Sequence, residues 1–187
     1  MATIQTKTPI KITKQIIALC NEIDKSQKPY RVPVKPQSWV ESKECFFNVK
    51  TKVEKDGGQI QFGWVIWECP NIMIEAIFHA IWISPENEHI DITPNQINSE
   101  RILFLPDSIR KYDYSSEYYR VDNIRRPLSN NPLILDLIKI SEQIFDVEER
   151  LFPGQQISSD NPAFGYWEQL METKNLIELQ LKSQSQP

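Results

Sequence analysis

Cysteine, histidine and glycine are scarce in this chain of 187 residues, and long apolar stretches are missing. Its three cysteines cannot all pair within one chain and form no Cys-x-x-Cys motif, which disfavours a disulfide framework and suits a reducing compartment. No apolar run reaches the roughly 18–20 residues that a membrane-spanning helix needs. The first residues lack the apolar core of a secretory signal. We therefore expect a cytoplasmic protein.

The charge balance is mildly acidic, with a formal net charge of −4 and a pI of about 5.3. Binding to nucleic acid needs a surplus of Lys and Arg to neutralise phosphates. A basic cluster at Arg120, Arg125 and Arg126 is interrupted by acidic residues, and we interpret it as a solvated loop. We expect neither a nucleic acid nor a membrane as partner. The sequence does not indicate the oligomeric state.

The five glycines form no phosphate-binding loop and no Gly-x-Ser-x-Gly motif, so no cofactor is expected. A hydrophobic fraction of 40% and the chain length fit a single domain, residues 1–187. Its core is expected within about 10–150, followed by a C-terminal helix over 163–182 and a mobile tail over 183–187.

Apolar periodicity and turn residues predict the secondary structure. Helices are predicted at 11–24, at 132–151, and from near Ser42 to the stop at Asp56-Gly57-Gly58. Strands are predicted at 59–68, 73–83, 88–93 and 102–105, whereas 25–37 and 107–130 are read as loops or surface structure. This order predicts an α+β fold in which an antiparallel sheet of three to five strands packs against helices.

His79 lies within the apolar strand predicted at 73–83, where a histidine is most often a core residue. If Ser84-Pro85-Glu86 form a three-residue hairpin loop, His79 lies directly opposite Asp91. Opposite residues have Cβ atoms about 5 Å apart on one face, so Asp91 can accept a hydrogen bond from the imidazole. A four-residue loop would place the Asp91 side chain on the opposite face of the sheet from His79, so the pairing depends on the register.

Cys45 lies in the first turn of the second predicted helix. The helix dipole and the free N–H groups favour a thiolate there, and the backbone N–H of Cys45 can point toward a developing oxyanion. A thiolate beside an imidazolium is the activated nucleophile of cysteine acyl-transfer enzymes. The alternative interpretation is that Cys45 is a small buried apolar residue.

Cysteine at a helix start, histidine on a strand and aspartate on the next strand resemble the papain-like superfamily, most closely its transglutaminase-like branch. The matching residues are Cys45-Phe46, His79-Ala80-Ile81-Trp82 and Asp91-Ile92-Thr93-Pro94, all within 40–95. Phe46 replaces the usual Trp, and the glycine commonly found before the nucleophile is absent. The resemblance implies a papain-like core and a cysteine hydrolase or acyltransferase that acts on an amide or related acyl bond of a peptide, protein or small molecule.

The same resemblance implies further site residues. Gln37, eight residues before Cys45, is the candidate oxyanion donor, with a surface glutamine as the alternative. Trp39, Trp64 and Trp67 are candidate walls of a substrate groove, with a core role as the alternative.

Three other interpretations remain open. Cys45, Cys69, His79 and His89 contain the residue types of a zinc site, but no two of them form the tight pair that structural zinc sites use, so no metal is predicted. A second interpretation is that the chain is a non-catalytic protein-binding module. Segment 107–130 and the C-terminal helices would then bind the partner. A small structural protein in which His79 and Asp91 satisfy each other is a third option.

Overall fold

The computed structural model describes residues 4–95, 97–116, 119–154 and 157–184. Within these ranges the elements in chain order are α1 (Lys14–Ile23), β1 (Tyr30–Pro33), α2 (Cys45–Asp56), β2 (Gln59–Cys69), β3 (Met73–Ile83), β4 (His89–Ile90), β5 (Arg101–Pro106), β6 (Ile124–Pro127), α3 (Pro132–Leu151) and α4 (Phe164–Gln184). The predicted α+β class is confirmed. The predicted tail lies, from residue 185 onward, outside the described residues.

The strands form one sheet in the order β1-β5-β2-β3-β4, with β6 also paired to β3, and all of these pairings are antiparallel. An isolated bridge between Val34 and Asp91 joins the end of β1 to the residue after β4. The sheet is therefore a nearly closed barrel. The prediction of three to five strands was too low, because β1 and β6 are four-residue strands with little apolar alternation, held by pairing with β5 and β3.

β3 is central, as its apolar character on both faces predicted. One edge pairs along its whole length with β2. On the other edge β6 pairs with Met73–Ala76 and β4 pairs with 82–83. Among the described residues, no strand pairs with this edge at 77–81. This opening in the sheet exposes the edge of β3 at His79.

The sheet has an apolar inner face and an apolar outer face. The inner face is filled by a cluster that includes Val65, Ile81 and Phe104. On the outer face α1 packs against Trp64, Phe78 and other strand residues. α2 packs through Val49 against the outer residues Ala80 and Trp82. α3 and α4 pack on each other and on the β2–β3 turn around Cys69 and Met73. None of the helices in the described ranges is long and apolar enough to cross a bilayer.

α2 begins at Cys45 itself, with Glu44 as its N-cap and no side-chain hydrogen bond to the first turn. The predicted N-cap, Ser42, lies two residues before the observed N-cap, so that boundary was two residues early. The chain enters the helix through Lys43, whose φ of 72° is unusual for a residue with a side chain. The predicted stop is confirmed, because Gly57 has a φ of 74° and its N–H donates to the Val53 carbonyl.

Candidate active site

His79 and Asp91 form an ion pair on the inner face of the barrel. Nε2 of His79 lies 3.1 Å from Oδ2 of Asp91, and the Asp91 side chain is only 1% exposed. The N–H direction is outside hydrogen-bond limits, so the contact is electrostatic in character. Asp91 is held on both sides, since its backbone N–H donates to Pro33 and its Oδ1 accepts from the Thr93 N–H.

The hairpin that brings Asp91 here differs in register from the predicted one. Trp82 pairs with Ile90 and Ile83 with His89, so the loop is 85–87 and Asn87 takes a φ of 65°. The prediction that His79 lies directly opposite Asp91 was therefore wrong. The shift is two residues, which preserves the side-chain face. Asp91 leaves β4, bridges to Val34, and still reaches His79 from the predicted face.

Cys45 completes the cluster from the N-terminus of α2. Its thiol is buried and interacts electrostatically with the His79 imidazole. Burial alone lowers the pKa of His79, but the negative charges of Asp91 and of the Cys45 thiolate outweigh it and raise that pKa well above its ordinary value. The geometry thus favours the charged imidazolium of His79, which lies between Cys45 and the Asp91 carboxylate.

A buried amide connects the helix of Cys45 to the segment of Asp91. Asn48 lies one turn after Cys45 and donates from Nδ2 to the Glu41 carbonyl, at 2.7 Å, and to Thr93 Oγ1, at 3.3 Å. Its Oδ1 accepts from the Glu41 N–H. These bonds fix the loop before Cys45 against Thr93. The sequence analysis missed Asn48, although a polar residue on the buried side of α2 was an available signal.

A cavity of about 520 Å³ opens beside the cluster, and we call it the Cys45 cavity. Its floor carries Val65, Trp67, Glu75 and Ile77. The other residues that line it are Ile4, Thr6, Ser42, Lys43, Cys45, Phe46, Phe78, His79, Asp91, Thr93, Pro94, Asn95 and Ile97. Most of the wall is apolar, and Cys45 and His79 both line it. Such a cavity has the size and character of a small-molecule or side-chain site.

The predicted oxyanion and groove residues lie elsewhere. Gln37 donates to the Lys35 carbonyl and accepts from Lys52, and it does not line the Cys45 cavity. Trp39 lies on the surface, with the Lys55 ammonium 4.3 Å from its ring centroid. Trp64 is 1% exposed and on the outer face, where its indole donates to Asp107. Neither of these two tryptophans lines the Cys45 cavity, whereas Trp67 does.

The residues of the zinc alternative are separated. His89 contacts the Tyr30 hydroxyl, and Cys69 is buried in the cluster under α3. In the described part of the chain, no group of three or more His, Cys, Asp or Glu side chains is placed to hold a metal ion. Burial raises the pKa of Cys20 to about 11 and, with nearby glutamates, that of Cys69 to about 12. These two thiols differ sharply from Cys45 in surroundings.

Segment 107–130 is more ordered than predicted where the structure describes it. Tyr112 stacks on Phe46 with ring centroids 4.2 Å apart, and the Tyr114 hydroxyl donates to the Phe46 carbonyl. Each arginine of the basic cluster pairs with acidic side chains, and Arg125 is buried whereas Arg120 and Arg126 stay about half exposed. Arg125 pairs with Glu75 and Asp122, Arg126 with Glu22, and Arg120 with Glu148 and Glu149. The segment therefore packs beside the start of α2.

Comparison with known proteins finds no matching family model, no matching curated protein and no matching solved structure.

Proposed function

We propose that the chain is a cysteine-dependent hydrolase or acyltransferase with a papain-like core, in which Cys45 is the nucleophile, His79 the acid and base, and Asp91 the orienting carboxylate. The observation that carries the proposal is the contact between the Cys45 thiol, the His79 imidazole and the Asp91 carboxylate beside an open cavity. Three residues, from α2, from β3 and from the segment after β4, meet in the order that nucleophilic catalysis requires.

The reaction follows from these positions. The Cys45 thiolate attacks the acyl carbonyl carbon and forms a C–S bond, while the carbonyl electrons move to the oxygen. When the carbonyl reforms, the bond to the leaving group breaks and the His79 imidazolium gives that group its proton. Water or an amine then attacks the thioester, transfers a proton to His79 and releases Cys45 as the thiolate.

The oxyanion is assigned to backbone donors in place of Gln37. The Glu44 side chain makes no cap hydrogen bond at the start of α2, and the N–H groups of a first turn have no partner within their own helix. These groups, with the positive end of the helix dipole, suit a negative oxygen that develops on the substrate beside Cys45.

Alkylation kinetics test the nucleophile with two internal controls. We expect iodoacetamide at pH 6 to modify Cys45 at least about tenfold faster than Cys20 or Cys69, because only a thiolate reacts and burial keeps the other two protonated. His79→Ala should remove most of the Cys45 rate. Peptide mapping measures all three sites in one sample. Equal slow labelling of the three thiols would favour the non-catalytic binding module.

Acylation tests the chemistry directly. Incubation with p-nitrophenyl acetate should release p-nitrophenol and leave an acetyl group on Cys45, detected by mass spectrometry of the intact protein. Cys45→Ala should show neither, and Asp91→Asn should slow the release by about a hundredfold or more through loss of imidazole orientation. Release by Cys45→Ala at the wild-type rate would contradict the proposal.

A further inference from the structure

The floor of the Cys45 cavity consists of three rungs of the β2–β3 ladder. The pairs, in order, are Gly63 with His79, Val65 with Ile77, and Trp67 with Glu75. His79 and Glu75 are four residues apart on one strand, which is about 13 Å. The first rung carries the imidazole, the middle rung is apolar, and the third carries a carboxylate beside an indole.

Glu75 is held by one of its two oxygens. Nε of Arg125, at 2.8 Å, and Nδ2 of Asn123, at 2.9 Å, both donate to Oε1. Within the described residues, no hydrogen bond reaches Oε2. A carboxylate has about four acceptor sites, so Oε2 can still accept hydrogen bonds. The Glu75 side chain is 14% exposed and lines the Cys45 cavity.

The charge at this rung is negative. Arg125 lies between Glu75 and Asp122, and one guanidinium between two carboxylates leaves one negative charge in excess. Trp67 faces Glu75 across the strands and lines the same cavity. An aromatic ring and a carboxylate together form a binding environment for an ammonium group.

The N-terminal segment lies across this end of the cavity. Lys7 pairs with Glu68, the neighbour of Trp67, and Ile4 and Thr6 line the cavity. In acyl transfer the leaving group departs first, and the acyl group stays attached to the sulfur. The acyl group is therefore the part of the substrate that fits between Cys45 and this covered end.

We infer, on the basis of the proposed acyl-transfer function, that the Cys45 cavity accepts an acyl group with an apolar chain that ends in a primary ammonium, bound by Glu75 and Trp67. The apolar chain covers Val65 and Ile77, and the ammonium donates to Oε2 of Glu75 at the third rung. The spacing of the rungs limits the length of the chain.

Two matched series of amides of 7-amino-4-methylcoumarin test this inference. One series carries ω-aminoalkanoyl groups with roughly 4 to 10 methylenes, a range that brackets the distance of about 13 Å, and the other carries alkanoyl groups of equal length. We expect kcat/KM to be about tenfold or more higher for the amino series, with an optimum in chain length. The reason is the charge-assisted hydrogen bond from the ammonium to Glu75, which the alkanoyl series cannot form.

Substitution of Glu75 tests whether this residue causes the preference for the amino series. Glu75→Gln should bring the ratio of the two series close to one, whereas Glu68→Gln, outside the cavity on the same ladder, should keep the wild-type ratio. If Glu75→Gln does not fold because Arg125 loses a partner, the double variant Glu75→Gln with Arg125→Gln removes both charges and makes the same prediction.

The outcomes separate the two proposals. If p-nitrophenyl acetate does not acylate Cys45, the proposed function fails and this inference fails with it. If Cys45 is acylated but the amide series are cleaved equally or not at all, only this inference is overturned. A preference for the amino series that survives both Glu75 variants would also overturn it.

Discussion

The two faces of β3 differ in what they contribute. On the outer face Ile74, Ala76, Phe78, Ala80 and Trp82 are all buried and apolar. On the inner face the same stretch of strand presents Glu75, Ile77 and His79, which line the Cys45 cavity. One strand thus supplies packing through alternate residues and the candidate chemistry through the residues between them. The comparison teaches that this strand separates close apolar packing on its outer face from the side chains that face the cavity on its inner face.

Removal of the carboxylate from the inner face should have the largest effect on stability. Asp91→Ala leaves the buried imidazolium without its partner, which costs about 3 kcal/mol. The raised pKa of His79 gives this contribution a pH dependence. The stabilisation is complete below the unfolded pKa of about 6.5 and is lost as the pH rises through the higher folded value.

Urea unfolding at two pH values measures this prediction. The difference between wild type and Asp91→Ala should be larger at pH 6 than at a pH above the folded pKa of His79. Asp91→Asn keeps the shape of the side chain and an acceptor for the Thr93 N–H, and should lose less. A pH-independent difference would show that the charge of His79 contributes nothing.

Overpacking of the outer face should have the next largest effect. Ala80 has no exposed surface and lies beneath α2, so Ala80→Leu should lower the free energy of unfolding by about 1–3 kcal/mol. Ile77→Leu, on the inner face of the same strand, should cost less than about 1 kcal/mol because the side chain borders open space. Equal losses in thermal or urea unfolding would remove the distinction between the faces.

Relief of backbone strain at the cavity should have the smallest effect. Lys43 has a positive φ two residues before Cys45, so Lys43→Gly should raise the free energy of unfolding by up to about 1 kcal/mol. Lys43→Ala removes the same side chain without relieving the strain and serves as the control. If both variants have the same unfolding midpoint, the backbone conformation is not the cause.

Much of this arrangement was predictable from local patterns. The length of β3, the bounds of α3 and the placement of Cys45 in a first turn all follow from periodicity and turn residues. The shared face of His79 and Asp91 was predicted correctly although the register was not, because a two-residue shift preserves parity.

The remaining features depend on contacts between distant parts of the chain. β1 and β6 form because β5 and β3 have free edges for them, and a four-residue strand ending in proline gives little signal of its own. The bond from Asn48 to Thr93 spans 45 residues, and the one from Arg125 to Glu75 spans 50. Gln37 was assigned by its distance from Cys45 along the chain, which does not fix the direction of its side chain.

The bridge between Val34 and Asp91 links reactivity to the completion of folding. It joins the end of the first strand to the segment that carries Asp91, so the residue at which the sheet closes is also the residue that contacts His79. On the proposed mechanism, the last pairing that closes the barrel therefore also fixes the carboxylate that orients the imidazole.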